Sequence, residues 1–421
     1  MAEVHEVNIE KMIHGALALA RLKDGRIALI EAALPGERVL ASFDKRSGVL
    51  QGKIIELIEA HPERQPMADH PGLDYSMASY PLQLKLKHEV VLDSLTRQGY
   101  NLGLEMPALR EAPKLWHYRH TVQPVTVAGG LGYREGSSHT PHPLPQDPSA
   151  HESINRLWQE HAPDLAAKGV KELAFRCNDA GEVLVCLIAQ ASVKNYLSLA
   201  HQLLNGLSAK GLTGLSYSPF DPRGRFFGKV DRLAGKRSIL QRFNEFSMSV
   251  STQHFAQPNP SAASMLYRDI ESWLADLPKL ENALDLYSGS GIIAFHLAKH
   301  IPKLIALDID KGNIQRGEQD ARRMGVHNVS FSHADARKLK SLPETDLISV
   351  DPPRTGLAKD VRQMILAAKA RYLLYVSCDV ATWSRDVCEF SKQGLELIRV
   401  QPYDFYPHTH HIEMLSLLAR A

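Results

Sequence analysis

The sequence predicts an α/β protein in three parts: an N-terminal OB-like β-barrel over 1–62, a mixed α+β central domain over 63–250 and a C-terminal Rossmann-like domain over 251–421. Three observations carry this reading. A chain of 421 residues, at roughly 100–200 residues per domain, holds two to four domains. The first 60 residues are short apolar runs separated by turn signals. From residue 251 onward, strand-like runs alternate with helix-like ones: ENALDLYSGSG then IIAFHLAKH, LIALDID then NIQRGEQDARRM, DLISVDPPR then LAKDVRQMILAA, RYLLYVSCD then WSRDVCEF. That alternation gives a mainly parallel sheet covered on both faces.

Taken in order, the runs ALALARL and RIALIEAAL flank Asp24-Gly25, a hairpin signal. Leu34-Pro35-Gly36 makes a second turn, ERVLASF a further strand, and Ser47-Gly48 a turn into VLQGKIIELIEA. Short strands at this spacing suit a five-stranded barrel. Such barrels often bind nucleic acid, but the fold alone does not establish it, and a plain packing module stays open. A connector rich in Pro, His and Asp, HPERQPMADHPGLD, precedes the helical YPLQLKLKHEVVLDSLTRQ. KELAFRC and EVLVCLIAQ read as strands around Asp179-Ala180-Gly181. Residues 135–150 are too rich in Pro and Ser for regular structure, so His139 and His142 read as loop residues rather than ligands.

Composition narrows the class. With 44% hydrophobic and 23% charged residues the chain is neither disordered nor fibrous. The four cysteines form no C-x-x-C pair, which suits a reducing compartment without disulfides. MAEVHEVNIEKM carries no secretory core, and no apolar run reaches the roughly 18 residues of a membrane span, so a cytoplasmic protein without a membrane partner is expected. A net charge of +2 gives no overall attraction to nucleic acid. Residues 210–242 differ: eight Lys and Arg stand against Asp221 and Asp231, with Tyr217, Phe220, Phe226 and Phe227 interleaved. Cations track phosphates and aromatic faces stack unpaired bases, so single-stranded RNA fits, as does a solvated hairpin with inward aromatics.

The chemistry gathers at strand ends. Asp285, Tyr287, Gly289 and Gly291 lie in DLYSGSG, where glycines let a ligand approach the backbone. The glycines alone would also pass for a dinucleotide fingerprint. The acids favour S-adenosylmethionine instead: Asp285 for an ammonium, Asp308 at the next strand end for ribose hydroxyls, and Asp335 in SHADARKL for an adenine amino group. Each acid taken singly reads more readily as a helix cap or a surface residue; the ordered set is what points to the cofactor. Asp351-Pro352-Pro353-Arg354 ends a further strand; adenine N-methylases carry an aromatic where Arg354 stands, which argues against amine methylation. Cys378, in Ser377-Cys378-Asp379, ends a strand just before a helix whose N-terminus favours a thiolate, the setting of a nucleophile. Cys388, inside that helix, reads as packing. Glu413 in the last strand is then placed as a base near Cys378, while a metal site from His408, His410 and His411 is disfavoured because two organic substrates need the room.

DLYSGSG, VDPPRTG, SCDVATWSRD and the final HIE, in this order, resemble the RNA uridine-C5 methyltransferase family. Phe255-Ala256-Gln257-Pro258-Asn259 is similar to the family's Phe-x-Gln-x-Asn segment, and residues 9–60 resemble its RNA-binding TRAM barrel. The resemblance implies that Gln257, Asp308 and Asp351 contact S-adenosylmethionine, with Asp335 a further candidate and the 289–291 loop beneath the cofactor, that Cys378 attacks uracil C6, and that Glu413 removes the C5 proton. It implies an RNA substrate, ribosomal (23S) before transfer RNA; nothing in the sequence requires more than a monomer. A non-catalytic RNA-binding or assembly factor on the same fold, and an NAD-dependent oxidoreductase, are the competing readings; retention of Cys378 and Glu413 argues against the first, and only the glycine loop supports the second. Two departures stand out. Many relatives hold an iron–sulfur cluster on four cysteines, whereas here the connector reads Met67-Ala68-Asp69-His70 and no cysteine precedes Cys177, so a colourless protein without a cluster is expected. Val380 stands where the family commonly has proline, which removes no reacting group.

Overall fold

The computed structural model describes residues 3–46, 48–100, 103–136, 140–221 and 230–420. They fall into two compact units, Met1–Ala112 with Lys340–Ala421, and Pro113–Leu339.

The first unit opens with β1 (Glu3–Ile13), β2 (Leu17–Arg21), β3 (Ile27–Glu31), β4 (Arg38–Arg46) and β5 (Val49–Glu59). They close into a barrel of order β1-β2-β3-β5-β4, so no strand edge is left to recruit another chain. Alternation sends Val7, Ile9, Ala18, Ala20, Ala28, Ile30, Val39, Ala41 and Phe43 inward. Gly52 is obligatory here: an added Cβ would lie 2.5 Å from the Phe43 ring. The Asp24-Gly25 hairpin forms as the sequence predicts, joining β2 to β3 antiparallel. Of the predicted Ser47-Gly48 turn, Ser47 lies outside the described residues. α1 (Tyr80–Arg97) follows, capped by Ser79, whose hydroxyl accepts from the Leu82 N–H.

The second unit begins with β6 (Thr121–Val122), β7 (Val125–Val127), β8 (Gly130–Arg134), β9 (Pro141–Leu144), α2 (Glu152–Leu165), β10 (Val170–Cys177), β11 (Val183–Ala189), α3 (Leu197–Leu207), β12 (Leu212–Pro219) and β13 (Asp231–Gly235). The sheet runs β13-β12-β11-β10-β7-β8-β9, with β6 also on β10. Residues of α2 and α3, among them Leu157, Trp158 and Leu203, pack on one face against Phe175, Val185, Leu187 and Leu215. β9 corrects the expectation of an irregular 135–150 loop: Pro141–Leu144 pairs with β8. It is the edge strand, where proline's missing N–H costs no ladder bond. His142 lies in this strand, while His139 lies outside the described residues.

The hairpin of β14 (Ile239–Phe243) and β15 (Phe246–Val250) and the helix α4 (Pro260–Ala275) come next. Then β16 (Asn282–Leu286), α5 (Ile292–Ala298), β17 (Lys303–Asp308), α6 (Lys311–Met324) and β18 (Val329–His333) alternate, and the three strands pair in parallel.

The chain returns to the first unit with β19 (Leu347–Val350), α7 (Lys359–Ala367), β20 (Tyr372–Ser377), α8 (Val380–Ser391), β21 (Leu395–Tyr403) and β22 (Glu413–Arg420). β19 and β20 are parallel, and β22 inserts antiparallel between β20 and β21. Strand interiors are fully buried and mostly apolar, as buried parallel strands require, with Ser349 the polar exception in β19. Lys87 of α1 is fully buried with Asp404, 2.7 Å from its Nζ, so each charge is compensated. No helix among the described residues is long and apolar enough to cross a membrane.

Candidate active site

In the first unit the strand register gathers the reactive groups. β20 ends at Ser377, paired with Met414 of β22, so the next residue, Cys378, stands across from Glu413 at the start of β22. Val350 pairs with Tyr375, which brings Asp351 out at the same end of the neighbouring strand. Three acidic groups thus converge where a parallel sheet presents its ligand-binding edge. Glu413 is buried, and Cys378 and Asp351 are half-buried.

That crowding sets their protonation. Burial pushes the Cys378 thiol up to about 12, reinforced by the negative charges of Glu413 and Asp351. Burial raises Asp351 to about 7. Glu413 is raised well above the carboxylate range, first by burial and then by Asp351. The resting cluster therefore stores protons: a thiol beside carboxyl groups that resist ionisation together. Arg354 opposes this, its cation lowering both Cys378 and Glu413.

Asp379 shapes the other side of Cys378. It caps α8, accepting from the Thr382 N–H at 2.8 Å. His14, on the turn between β1 and β2, sits with its Nε2 3.1 Å from an Asp379 oxygen. Burial acts to raise Asp379, but the bonds from His14 and Thr382 outweigh it and bring the carboxyl to about 2. The permanently negative Asp379 raises Cys378 further. Val380 starts α8 buried, so the side chain standing in place of the family's proline serves as core. Cys388 is buried in α8. The histidines considered as metal ligands are engaged with protein: His408 Nδ1 is 3.0 Å from Gln83 Nε2, and His410 Nδ1 is 2.6 Å from Asp74.

The second unit carries the glycine loop. Asp285 is fully buried near the end of β16, and Tyr287, Gly289 and Gly291 all take positive φ, 60°, 56° and 90°. The Gly289 N–H donates to Asp308 Oδ2 at 2.9 Å, while Asp308 Oδ1 accepts from the Asp310 N–H at 2.8 Å and the Asn313 amide at 3.1 Å. The carboxylate at the end of β17 thus fixes the loop of β16. A Cβ built on Gly289 would meet nothing within 4 Å, so the backbone there is open to a ligand, as a cofactor cradle must be. At Gly291 it would lie 2.7 Å from the Phe331 ring. Gly291→Ala is therefore expected to cost about 1–3 kcal/mol through overpacking and left-handed strain, read as a lowered Tm in differential scanning calorimetry. Asp335 caps a short 3₁₀ turn and holds the Arg337 guanidinium, with Nε at 3.1 Å. Gln257 is half-buried in the segment before α4, beside the exposed Phe255.

Sequence reasoning missed two neighbours of this cluster. Arg354 entered only as a missing aromatic, although a cation directly after Pro-Pro at a strand's carboxyl end was itself a signal. His14 had no signal, because its partner Asp379 lies in a distant segment of the chain.

The family described as tRNA (uracil-5-)-methyltransferase matches residues 180–421. A protein of Halalkalibacterium halodurans named as an RNA methyltransferase is 29% identical over 99% of this chain and 97% of its own length. One of Gloeobacter violaceus, also named as an RNA methyltransferase, is 27% identical over 99% and 96%. Among solved structures, the tRNA (uracil-54, C5)-methyltransferase of Pyrococcus abyssi, in complex with S-adenosyl-L-homocysteine, shares the fold with a TM-score of 0.77 at 20% identity, covering 100% of both chains. The fold is thus a Rossmann-like methyltransferase domain with an N-terminal barrel and a mixed central domain. The chain belongs to the tRNA (uracil-5-)-methyltransferase family, enzymes of S-adenosylmethionine-dependent methylation of uracil C5 in RNA.

Proposed function

We propose that the protein methylates a uridine of ribosomal RNA at C5 through a covalent adduct on Cys378, acting as a monomer in the cytoplasm. The observation that carries the mechanism is the register placing Cys378 across from Glu413. Uracil C5 is too weak a nucleophile to be alkylated unaided. Cys378 adds its sulfur to C6, and the electron pair displaced from the 5,6 double bond makes C5 enolate-like. When bound, S-adenosylmethionine supplies an electrophilic methyl group on a sulfonium sulfur. Glu413 then takes the C5 proton, the double bond re-forms and the sulfur leaves. The base has to be turned out of its stack to expose C6, which gives the barrel and central domain their part as RNA-holding elements. In the second unit Gln257, Asp285, Tyr287, Gly289, Gly291, Asp308 and Asp335 are proposed to hold the cofactor. The division into 1–62, 63–250 and 251–421 belongs to the same proposal.

Transfer RNA is the second reading, favoured by the family's description and by the name of the Pyrococcus abyssi enzyme. Incubating the purified protein with S-adenosylmethionine and either 23S rRNA or bulk tRNA, followed by mass mapping of 5-methyluridine, separates the two. Methyl groups are expected on the ribosomal RNA; methylation confined to tRNA would overturn that choice.

The acid cluster predicts opposite pH trends for stability and activity. A carboxyl group whose folded pKa of about 7 lies above its unfolded value binds an extra proton in the native state. Its stabilising contribution is complete below the unfolded pKa, near 4, and is lost as pH rises toward 7. Catalysis needs a thiolate and a carboxylate base, so kcat/KM should rise over the same interval. Asp351→Asn, which imitates the protonated form, is expected to flatten the fall in Tm between pH 5 and pH 8. An unchanged fall would show that Asp351 does not cause it.

A further inference from the structure

We propose that a cavity on the face of the central sheet opposite α2 and α3 seats a phosphate of the RNA backbone. This rests on the reading above that the substrate is RNA. The lining of the cavity, about 70 Å³, combines Arg232, Lys236, Arg237, Ser216, Ser251 and Thr252 with apolar side chains of the sheet face. Strand register places it. The core face of β10, β11 and β12 carries Phe175, Val185 and Leu215, so the opposite face carries Arg176, Leu184, Cys186, Gly214 and Ser216. Ser216 pairs across to Arg232 of β13, which brings the cation to the rim.

The chemistry is that of an anion site with a hydroxyl floor. Thr252 is buried, with its Oγ1 2.9 Å from Ser216 Oγ, and Ser251 Oγ is 3.0 Å from His254 Nδ1. Three exposed cations stand above them. Lys236 is bonded to Glu182 and Arg232 donates to the Gly235 carbonyl at 2.7 Å, but Arg237 makes no ion pair with a described residue. A guanidinium fork and hydroxyl donors suit the two non-bridging oxygens of a phosphodiester. One strand away on the same face, Arg176 is a half-buried cation, lowered to about 10 by burial, whose Nε has no partner among the described residues. It adds positive potential that a bound anion would offset. Within the basic stretch at 210–242, Arg223, Arg225, Phe226, Phe227 and Lys229 lie outside the described residues; the cavity gives the stretch a site without them.

Filter binding of the full-length protein to its substrate RNA across a salt series tests this. In the Arg232→Gln, Arg237→Gln double variant, log affinity against log salt should become shallower by about 0.7 for each phosphate that is no longer neutralised. The KM for RNA should rise while turnover at saturating RNA stays unchanged. Lys236→Gln should act in the same direction, and Lys279→Gln, at an exposed lysine outside the cavity, should leave the slope alone. A wild-type slope in the double variant, or an equal change with Lys279→Gln, would overturn the proposal. A wild type that binds RNA but methylates none would instead sink the functional reading, and the slopes would still report on the cavity.

Discussion

Cys378→Ala is expected to lower RNA methylation by about 10⁴-fold or more while leaving RNA binding intact. The size follows from what the residue supplies. Without sulfur addition at C6 the chain has nothing that raises the electron density at C5, and positioning alone does not turn a vinylic carbon into a nucleophile. The substitution removes one sulfur atom from a half-buried position, and Asp379 still caps α8, so the fold has little reason to change. Cys378→Ser should be nearly as inactive, because its hydroxyl ionises less readily in a setting that already pushes a thiol to about 12. Steady-state transfer of a labelled methyl group, measured beside equilibrium RNA binding, checks both. Full activity in the alanine variant would remove Cys378 from the mechanism.

Glu413→Gln should fail at a later step. Turnover is expected to fall by about 10²–10⁴-fold, the usual contribution of a positioned base. Addition and methylation at C5 should persist, since Glu413 acts after both. Proton removal is lost while the earlier steps proceed, so methylated RNA should accumulate still joined to the protein. Denaturing electrophoresis of the variant with ordinary RNA and the methyl donor would show a slow-migrating band. A variant that turns over slowly without such a band would place the base elsewhere.

Much of this was legible in the sequence because it is local. Asp24-Gly25 between two apolar runs specifies a hairpin whatever surrounds it, and the alternation after residue 251 specifies parallel strands. Cys378 and Glu413 stood out because each lies at a strand end. The edge strand Pro141–Leu144 did not, since the proline and serine content of 135–150 reads as a loop until an edge position removes the need for an N–H. The His14–Asp379 pair joins a barrel turn to the residue beside Cys378, and no periodicity links them. The protonation of the cluster was equally hidden. Acids of ordinary type become proton stores only once burial and the β19-β20-β22 register bring them together.

The central claim, covalent attack by Cys378 on a uracil, is tested most directly by intact-mass measurement after incubation with the methyl donor and RNA carrying 5-fluorouridine. Fluorine at C5 cannot leave as a cation, so the adduct cannot resolve. The wild type should gain the mass of the methylated RNA, and Cys378→Ala should gain none. A wild-type protein that methylates normal RNA yet gains no mass, or an alanine variant that is trapped as readily, would contradict it.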